Sequence, residues 1–309
     1  MKRTLKDYLT ISLKGIGMGA ADVVPGVSGG TIAFITGIYE ELINSIKSIN
    51  FSSLKLLFQG KISDFWKAIN GTFLFSLIVG IFISILSLAK LIEFLLEDYP
   101  VLIWSFFFGL VVASAVFVAK KIKKWNAGIV TGAIAGTVVA YWITIISPAE
   151  ANTSYYFIFL SGAIAICAMI LPGISGSFIL VLLGMYKFIL GAITDFNLLI
   201  IITFLIGAAI GIIAFSNVLS WLLRKFHDIT VAVLAGFMIG SLNKVWPWKQ
   251  VTETFTDRHG EIRPLIEENV LPATFSEITG QSAMLGTAIG LAVAGFVLIW
   301  VVEKITDKK

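Results

Sequence analysis

The sequence is short of charge, cysteine and histidine, and each shortage removes a class of protein. Only 14% of its 309 residues are Asp, Glu, Lys or Arg, against about a quarter in an average soluble chain. So few charges cannot cover a water-facing surface, which excludes a soluble globular domain and a disordered chain. The single Cys167 excludes a disulfide framework, a cysteine-rich zinc site and a CxxC redox motif. The two histidines, His227 and His259, lie in different segments, a poor basis for a histidine metal site or a Ser-His-Asp triad. The alternation of an outer-membrane barrel is also missing. What the chain has is apolar surface, with 57% hydrophobic residues and a mean hydropathy of +0.93. This is the composition of an all-α polytopic membrane protein.

Six apolar runs approach the roughly 20 residues that a helix needs to cross the hydrocarbon core. They are Gly71–Ile92, Leu102–Ala119, Ala127–Ile146, Leu198–Leu223, Ile229–Val245 and Gln281–Val302. Two further regions, about Leu9–Ile46 and Tyr155–Ile193, are each broken near the middle by a Pro-Gly. They are too long for one span and marginal for two.

Basic residues set the sidedness. Lys2, Arg3, Lys6 and Lys14 precede the first broken segment, and Lys47, Lys55, Lys61 and Lys67 follow it. Lys120–Lys124, Arg224–Lys225 and Lys304–Lys309 fall at the later returns to the same side. By this count 17 of 23 basic residues are cytoplasmic and so are both termini, as the positive-inside rule requires. The net charge of +4 is then a topological label, and no nucleic-acid partner is expected. A re-entrant segment and a full helical hairpin would place the loops alike, so both readings of the broken segments stay open. Lys47–Lys67, interleaved with Phe51, Phe58, Phe65 and Trp66, reads as a surface-lying amphipathic stretch. Trp246-Pro247-Trp248 reads as an interfacial anchor.

The two broken segments resemble each other. Pro25–Ile46 and Pro172–Ile193 are identical at 8 of 22 positions, including Gly37/Gly184 and Tyr39/Tyr186. Gly80 and Gly109 match Gly207 and Gly236 at one offset, and Gly132-x-x-x-Gly136 matches Gly286-x-x-x-Gly290. Each half therefore reads as one broken segment plus three spans, residues 1–150 and 151–309, in a single transmembrane domain. An extracytoplasmic loop is expected at about 246–280. Three crossings is an odd number, so the second half is expected upside down. That is the inverted-repeat plan of secondary transporters, with a site where the broken helices meet.

Irregular backbone inside a bilayer must find protein or water partners. Pro25 and Pro172 each end a helix. Gly26, Gly29, Gly30, Gly173 and Gly176 permit turns, and Ser28, Thr31, Ser175 and Ser177 bring hydroxyls. The N–H groups of the restarting helix favour an anion. The expected phosphate cradle is thus Pro25-Gly26-Val27-Ser28-Gly29-Gly30-Thr31 facing Pro172-Gly173-Ile174-Ser175-Gly176-Ser177. Asp22, three residues before Pro25, is an ionisable group in an apolar segment and a candidate carrier of a coupling proton or sodium ion. It could instead cap the restarting helix or pair with Lys14. Lys14 could contact a head group or snorkel to the surface. No metal and no cofactor is expected beyond a coupling H+ or Na+.

These motifs, Ala21-Asp22-Val23-Val24-Pro25-Gly26-Val27-Ser28-Gly29-Gly30-Thr31-Ile32-Ala33 and Leu171-Pro172-Gly173-Ile174-Ser175-Gly176-Ser177, resemble the signatures of the bacterial polyprenyl-phosphate (undecaprenyl-phosphate) transporter family. The resemblance extends to Gly240-Ser241-Leu242 and Trp246-Pro247-Trp248. It implies a multi-pass protein of the bacterial cytoplasmic membrane. Such a protein returns undecaprenyl phosphate from the outer to the cytoplasmic leaflet for cell-envelope synthesis. Its partners would be the lipid and the bilayer, with homo-oligomerisation open. The same cradle would serve a small soluble anion such as phosphate or sulfite. A lipid-phosphate enzyme is disfavoured, because no histidine lies in the membrane and no arginines cluster to supply acid–base or nucleophilic chemistry.

Overall fold

The computed structural model describes residues 3–23, 27–256 and 262–306. Among these the chain forms fifteen helices and one two-stranded antiparallel hairpin. The first half runs α1 (Leu5–Val23), α2 (Gly29–Ile35) and α3 (Tyr39–Lys47), then two short helices α4 (Phe51–Phe58) and α5 (Ile62–Ala68). Three long helices follow, α6 (Gly71–Asp98), α7 (Pro100–Ala119) and α8 (Ala127–Ile145). The second half runs α9 (Tyr155–Ile170), α10 (Gly176–Leu182), α11 (Tyr186–Thr194), α12 (Leu198–Lys225) and α13 (His227–Ser241). A hairpin of β1 (Lys249–Thr256) and β2 (Ile262–Asn269) and a short α14 (Pro272–Thr279) precede α15 (Leu285–Thr306).

Five helices, α6, α7, α8, α12 and α15, are long and apolar enough to cross a bilayer. They match five of the six expected spans. The sixth, Ile229–Val245, is shorter than expected: α13 stops at Ser241 after 15 residues, or about 22 Å of rise. Its last expected residues turn instead into the hairpin. That hairpin and the short α14 are the elements not foreseen within the 246–280 loop. The outward faces of the long helices carry Phe82, Leu86, Val138, Trp142, Leu205, Ile210, Val293 and Leu298, all exposed. In a bilayer such side chains meet acyl chains and cost nothing.

Each broken segment breaks twice. Besides the Pro-Gly break, α2 ends at Gly37 (φ 74°) and α10 at Gly184 (φ 68°). The Ile38 N–H reaches the Ala33 carbonyl at 3.0 Å, and the Met185 N–H reaches Leu180 at 2.8 Å. Both are the six-residue closure of a helix that stops at a left-handed glycine. The turn bends α10 against α11 by 110°. Each short helix then heads back toward the end where its segment began. Lys14 on α1 donates to the Thr36 carbonyl at the foot of α2 (2.6 Å), and Arg3 is bidentate to Glu41 on α3. In the second half the Ala149 N–H, just before α9, donates to Leu182 at the foot of α10 (2.8 Å).

Close helix approach recurs between the halves. A Cβ at Gly15 would strike the Leu77 carbonyl and one at Gly80 the Ser12 carbonyl; Gly162 and Gly207 meet Phe204 and Phe159 in the same way. The α1–α6 contact and the α9–α12 contact are therefore built alike. The α8–α13 and α7–α15 contacts correspond too, but not in the expected register. A Cβ at Gly136 would strike the Val233 carbonyl and one at Gly295 the Phe106 carbonyl, whereas Gly286 and Gly290 face open space. Gly136 thus matches Gly295, not Gly290. Two GxxxG patterns in apolar helices line up easily by eye, yet the first pair is packed against α13 and neither glycine of the second is held by packing.

Candidate functional site

The two Pro-Gly breaks meet. Ser28 Oγ lies 3.1 Å from both the Met169 and the Leu171 carbonyls, to which it donates. It also accepts the Gly30 N–H at 3.1 Å, which makes it the N-cap of α2. Thr31 Oγ1 accepts the Gly173 N–H at 3.1 Å across the same junction. Tyr39 donates to the Ile170 carbonyl at 3.2 Å. Gly30 is required by this approach, because a Cβ there would collide with the Ile170 carbonyl. Side chains of the first copy thus partner the backbone at the second break, which is how unpaired backbone groups are tolerated at membrane depth.

Of the expected cradle, Val27, Ser28, Gly29, Gly30, Thr31, Pro172, Gly173, Ile174 and Ser175 are buried, and the contact between the copies runs through Ser28, Gly30 and Thr31 to residues 169–173. Gly176 and Ser177 are half-buried beside them. Pro25 and Gly26 lie outside the described residues. Ser175 caps α10, accepting the Phe178 N–H at 3.3 Å, and its hydroxyl pairs with that of Ser177 at 2.7 Å. In this arrangement the hydroxyls of Ser28 and Thr31 are spent on the junction, and the Ser175–Ser177 pair is the more accessible.

Asp22 takes the helix start that the sequence reserves for an anion. Its Oδ1 accepts the Gly29 N–H at 2.7 Å. Of the three roles open to it, capping α2 is the one seen; a coupling role is compatible with it. Pairing with Lys14 is not what the geometry shows: the Lys14 ammonium is held by the carbonyl of Thr36. That places Lys14 at the far end of a seven-residue helix, about 10 Å of rise from the break. Lys121 donates to Phe34 O nearby (3.2 Å). Two ammonium groups therefore complement the C-terminus of α2.

A model of the undecaprenyl phosphate translocase-like family matches residues 18–263. The chain belongs to this family. It is 48% identical over 302 residues to the polyprenyl-phosphate transporter of Vibrio cholerae serotype O1, covering 98% of both chains. It is 33% identical over 254 residues to the polyprenyl-phosphate transporter of Staphylococcus aureus, covering 76% of this chain and 85% of that one. No solved structure matches the chain significantly.

Within this member of the family, two site features were not legible in advance. The C-terminal turn of α13 packs on the second break: Ser241 Oγ and the Met238 backbone leave no room for a Cβ at Gly173 (φ 91°). Just beyond, Lys244 reaches the ring of Phe178 on α10, its ammonium 4.9 Å from the centroid. The only sequence signal is that Lys244 and Lys249 are exceptions to the positive-inside count. Second, a groove of about 600 Å³ opens between α8, α13 and the segment after β2. Phe108, Val138, Ile239, Leu242 and Leu271 make it largely apolar, and Asn243 and Asn269 add polar groups. Trp246 lines it and donates to the Val270 carbonyl (2.9 Å), while Trp248 is buried and donates to Ala283 (2.9 Å). Trp246 closes the hairpin base and meets Phe108 of α7 edge-on, while Trp248 ties the base to the segment before α15.

Proposed function

We propose that this chain carries a polyprenyl phosphate, undecaprenyl phosphate first among them, from the outer to the cytoplasmic leaflet of the bacterial inner membrane. It would do so without covalent chemistry. The observation that carries the reading is the junction of two Pro-Gly breaks, one from each half, inside a helical membrane protein. A lipid phosphate needs a guarded polar place for its head and a sideways exit for its tail. The junction supplies the first, and the groove between α8 and α13 supports the second, since Val138, Tyr141 and Ile239 on its walls also face outward.

The two halves act in this reading as an inverted pair with both termini cytoplasmic and the broken segments re-entrant. Alternating access follows if the halves exchange packing about the junction. Asp22 links the cycle to an ion gradient. A phosphate cannot approach an ionised carboxylate at the start of α2 without repulsion. Protonation of Asp22, or a sodium ion beside it, therefore accompanies the head group.

The test is reconstitution in vesicles with labelled undecaprenyl phosphate, following its exchange between leaflets with and without a proton or sodium gradient. Protein-dependent exchange is expected, faster with a gradient of the right sign. Exchange no faster than in protein-free vesicles rejects lipid transport. Uptake of inorganic phosphate by the same vesicles would favour a soluble-anion carrier.

A further inference from the structure

Two lysines share the field of Glu267 after the second break, and one of them is left without a hydrogen-bond acceptor. Lys249 is spent. Its ammonium pairs with Glu267 at 3.2 Å and lies 4.0 Å from the Trp104 ring centroid, with its side chain 7% exposed. Lys244 has the face of Phe178 and lies in the field of the Glu267 carboxylate, but among the described residues its ammonium has no hydrogen-bond acceptor. The two charges feel each other. Burial brings Lys249 down to about 8, with Glu267 opposing the shift and Lys244 adding to it. Three donors on a half-buried ammonium call for acceptors.

We propose that Lys244, backed by Lys249, receives a phosphate monoester at the hairpin-side mouth of the second break. The position supports this independently of the charge. Ser241 lies on Gly173 of the break, and Lys244 follows it by three residues. Gly240, Leu242 and Asn243 from the same turn line the apolar groove. A head group at Lys244 and a hydrocarbon chain in the groove are thus served by one stretch of five residues. Phe178 follows Ser177 directly, so a phosphate leaving Lys244 is next to the half-buried Ser177 hydroxyl, which pairs with that of Ser175. An ammonium suits a carried ligand, being a compact charge without the bidentate grip of a guanidinium.

This inference rests on the transport reading, and the experiment separates the two. Wild-type, Lys244→Met and Lys244→Arg proteins in nanodiscs are titrated with undecaprenyl phosphate, the uncharged polyprenol of the same length and inorganic phosphate. Melting temperatures serve as the folding control. The Met variant is expected to lose about tenfold or more in affinity for undecaprenyl phosphate, the scale of one charge-assisted hydrogen bond. Polyprenol binding should stay unchanged, and the Arg variant should recover most of the loss. Equal binding of undecaprenyl phosphate by the wild-type and a folded Met variant overturns the inference and leaves the transport reading standing. If the Met variant fails to fold while the Arg variant folds and binds like wild type, Lys244 is a structural clip on Phe178 and the inference also falls. If the wild-type protein binds inorganic phosphate but not the lipid, and Lys244→Met abolishes it, the anion site stands and lipid transport falls.

Discussion

The same Pro-Gly-x-Ser-Gly sequence is held in two different ways in its two copies. In the first copy Val27, Ser28 and Thr31 are fully buried, Tyr39 is bonded to the opposite break, and Asp22 closes the start of α2. In the second, Ser177 and Phe178 stay half-buried, Tyr186 is exposed, and Met169 stands where Asp22 stands. The difference extends outward. α3 packs against α12 of the other half, whereas α11 packs against α12 of its own half. A motif of this kind encodes a break and a cap. Which copy is clamped is decided by partners outside it. If the halves exchange roles in transport, the present arrangement is one of two, with the first copy closed and the second looser.

The largest expected effect comes from filling the tighter copy. Gly30→Val drives a branched side chain into the Ile170 carbonyl, and overpacking of this kind costs about 1–3 kcal/mol. We expect the protein to reach the membrane while leaflet exchange of undecaprenyl phosphate falls to the protein-free rate. The aligned Ser177→Val, at a half-buried position, should lose exchange only in part, through its missing hydroxyl. Equal loss in both would mean that the two copies are clamped alike during the cycle.

Asp22 comes next, because it has no counterpart. Asp22→Asn keeps an oxygen for the Gly29 N–H but no titratable group; Asp22→Leu removes both. Exchange by the Asn variant should persist without responding to a proton or sodium gradient. The Leu variant should in addition lose about 1 kcal/mol of stability, as for a lost N-cap. A gradient response that survives in Asp22→Asn would leave Asp22 as a cap alone.

How far these features are readable from sequence depends on what each one is made of. The long helices are legible because twenty apolar residues in a row have one destination. The meeting of the breaks is legible because both carry the same residues. The second bend of each segment was in view as the matched pair Gly37/Gly184, yet it reads as similarity until the left-handed closure is seen. Lys244 is illegible for another reason. A lysine at the end of an apolar run looks like any span boundary, and its meaning comes from Phe178, sixty-six residues earlier in the chain. The hairpin hides in a polar loop whose strands, among the described residues, pair only with each other. The register of α8 against α15 is hidden because glycine spacing alone cannot say which glycine touches a neighbour.

The finest probe of the comparison is the tyrosine pair. Tyr39 is buried and donates to the Ile170 carbonyl, which bridges the two halves. Tyr186 occupies the aligned place in the second copy and has no hydrogen-bond partner among the described residues. Removing one hydroxyl from each is therefore unequal by design. Tyr39→Phe deletes one neutral buried hydrogen bond, worth about 1 kcal/mol. If that bond exists only in the closed form of the first copy, its loss moves the balance between the two forms by about fivefold. Tyr186→Phe should do nothing to the present form and should slightly disfavour the other. Labelling of a single cysteine introduced at Ser45 on α3, after replacing Cys167, reads the first copy's exposure directly. Faster labelling in Tyr39→Phe, with none in Tyr186→Phe, is the expected result. Identical rates in both would mean that the two copies do not exchange, and that the asymmetry is a fixed property of the fold.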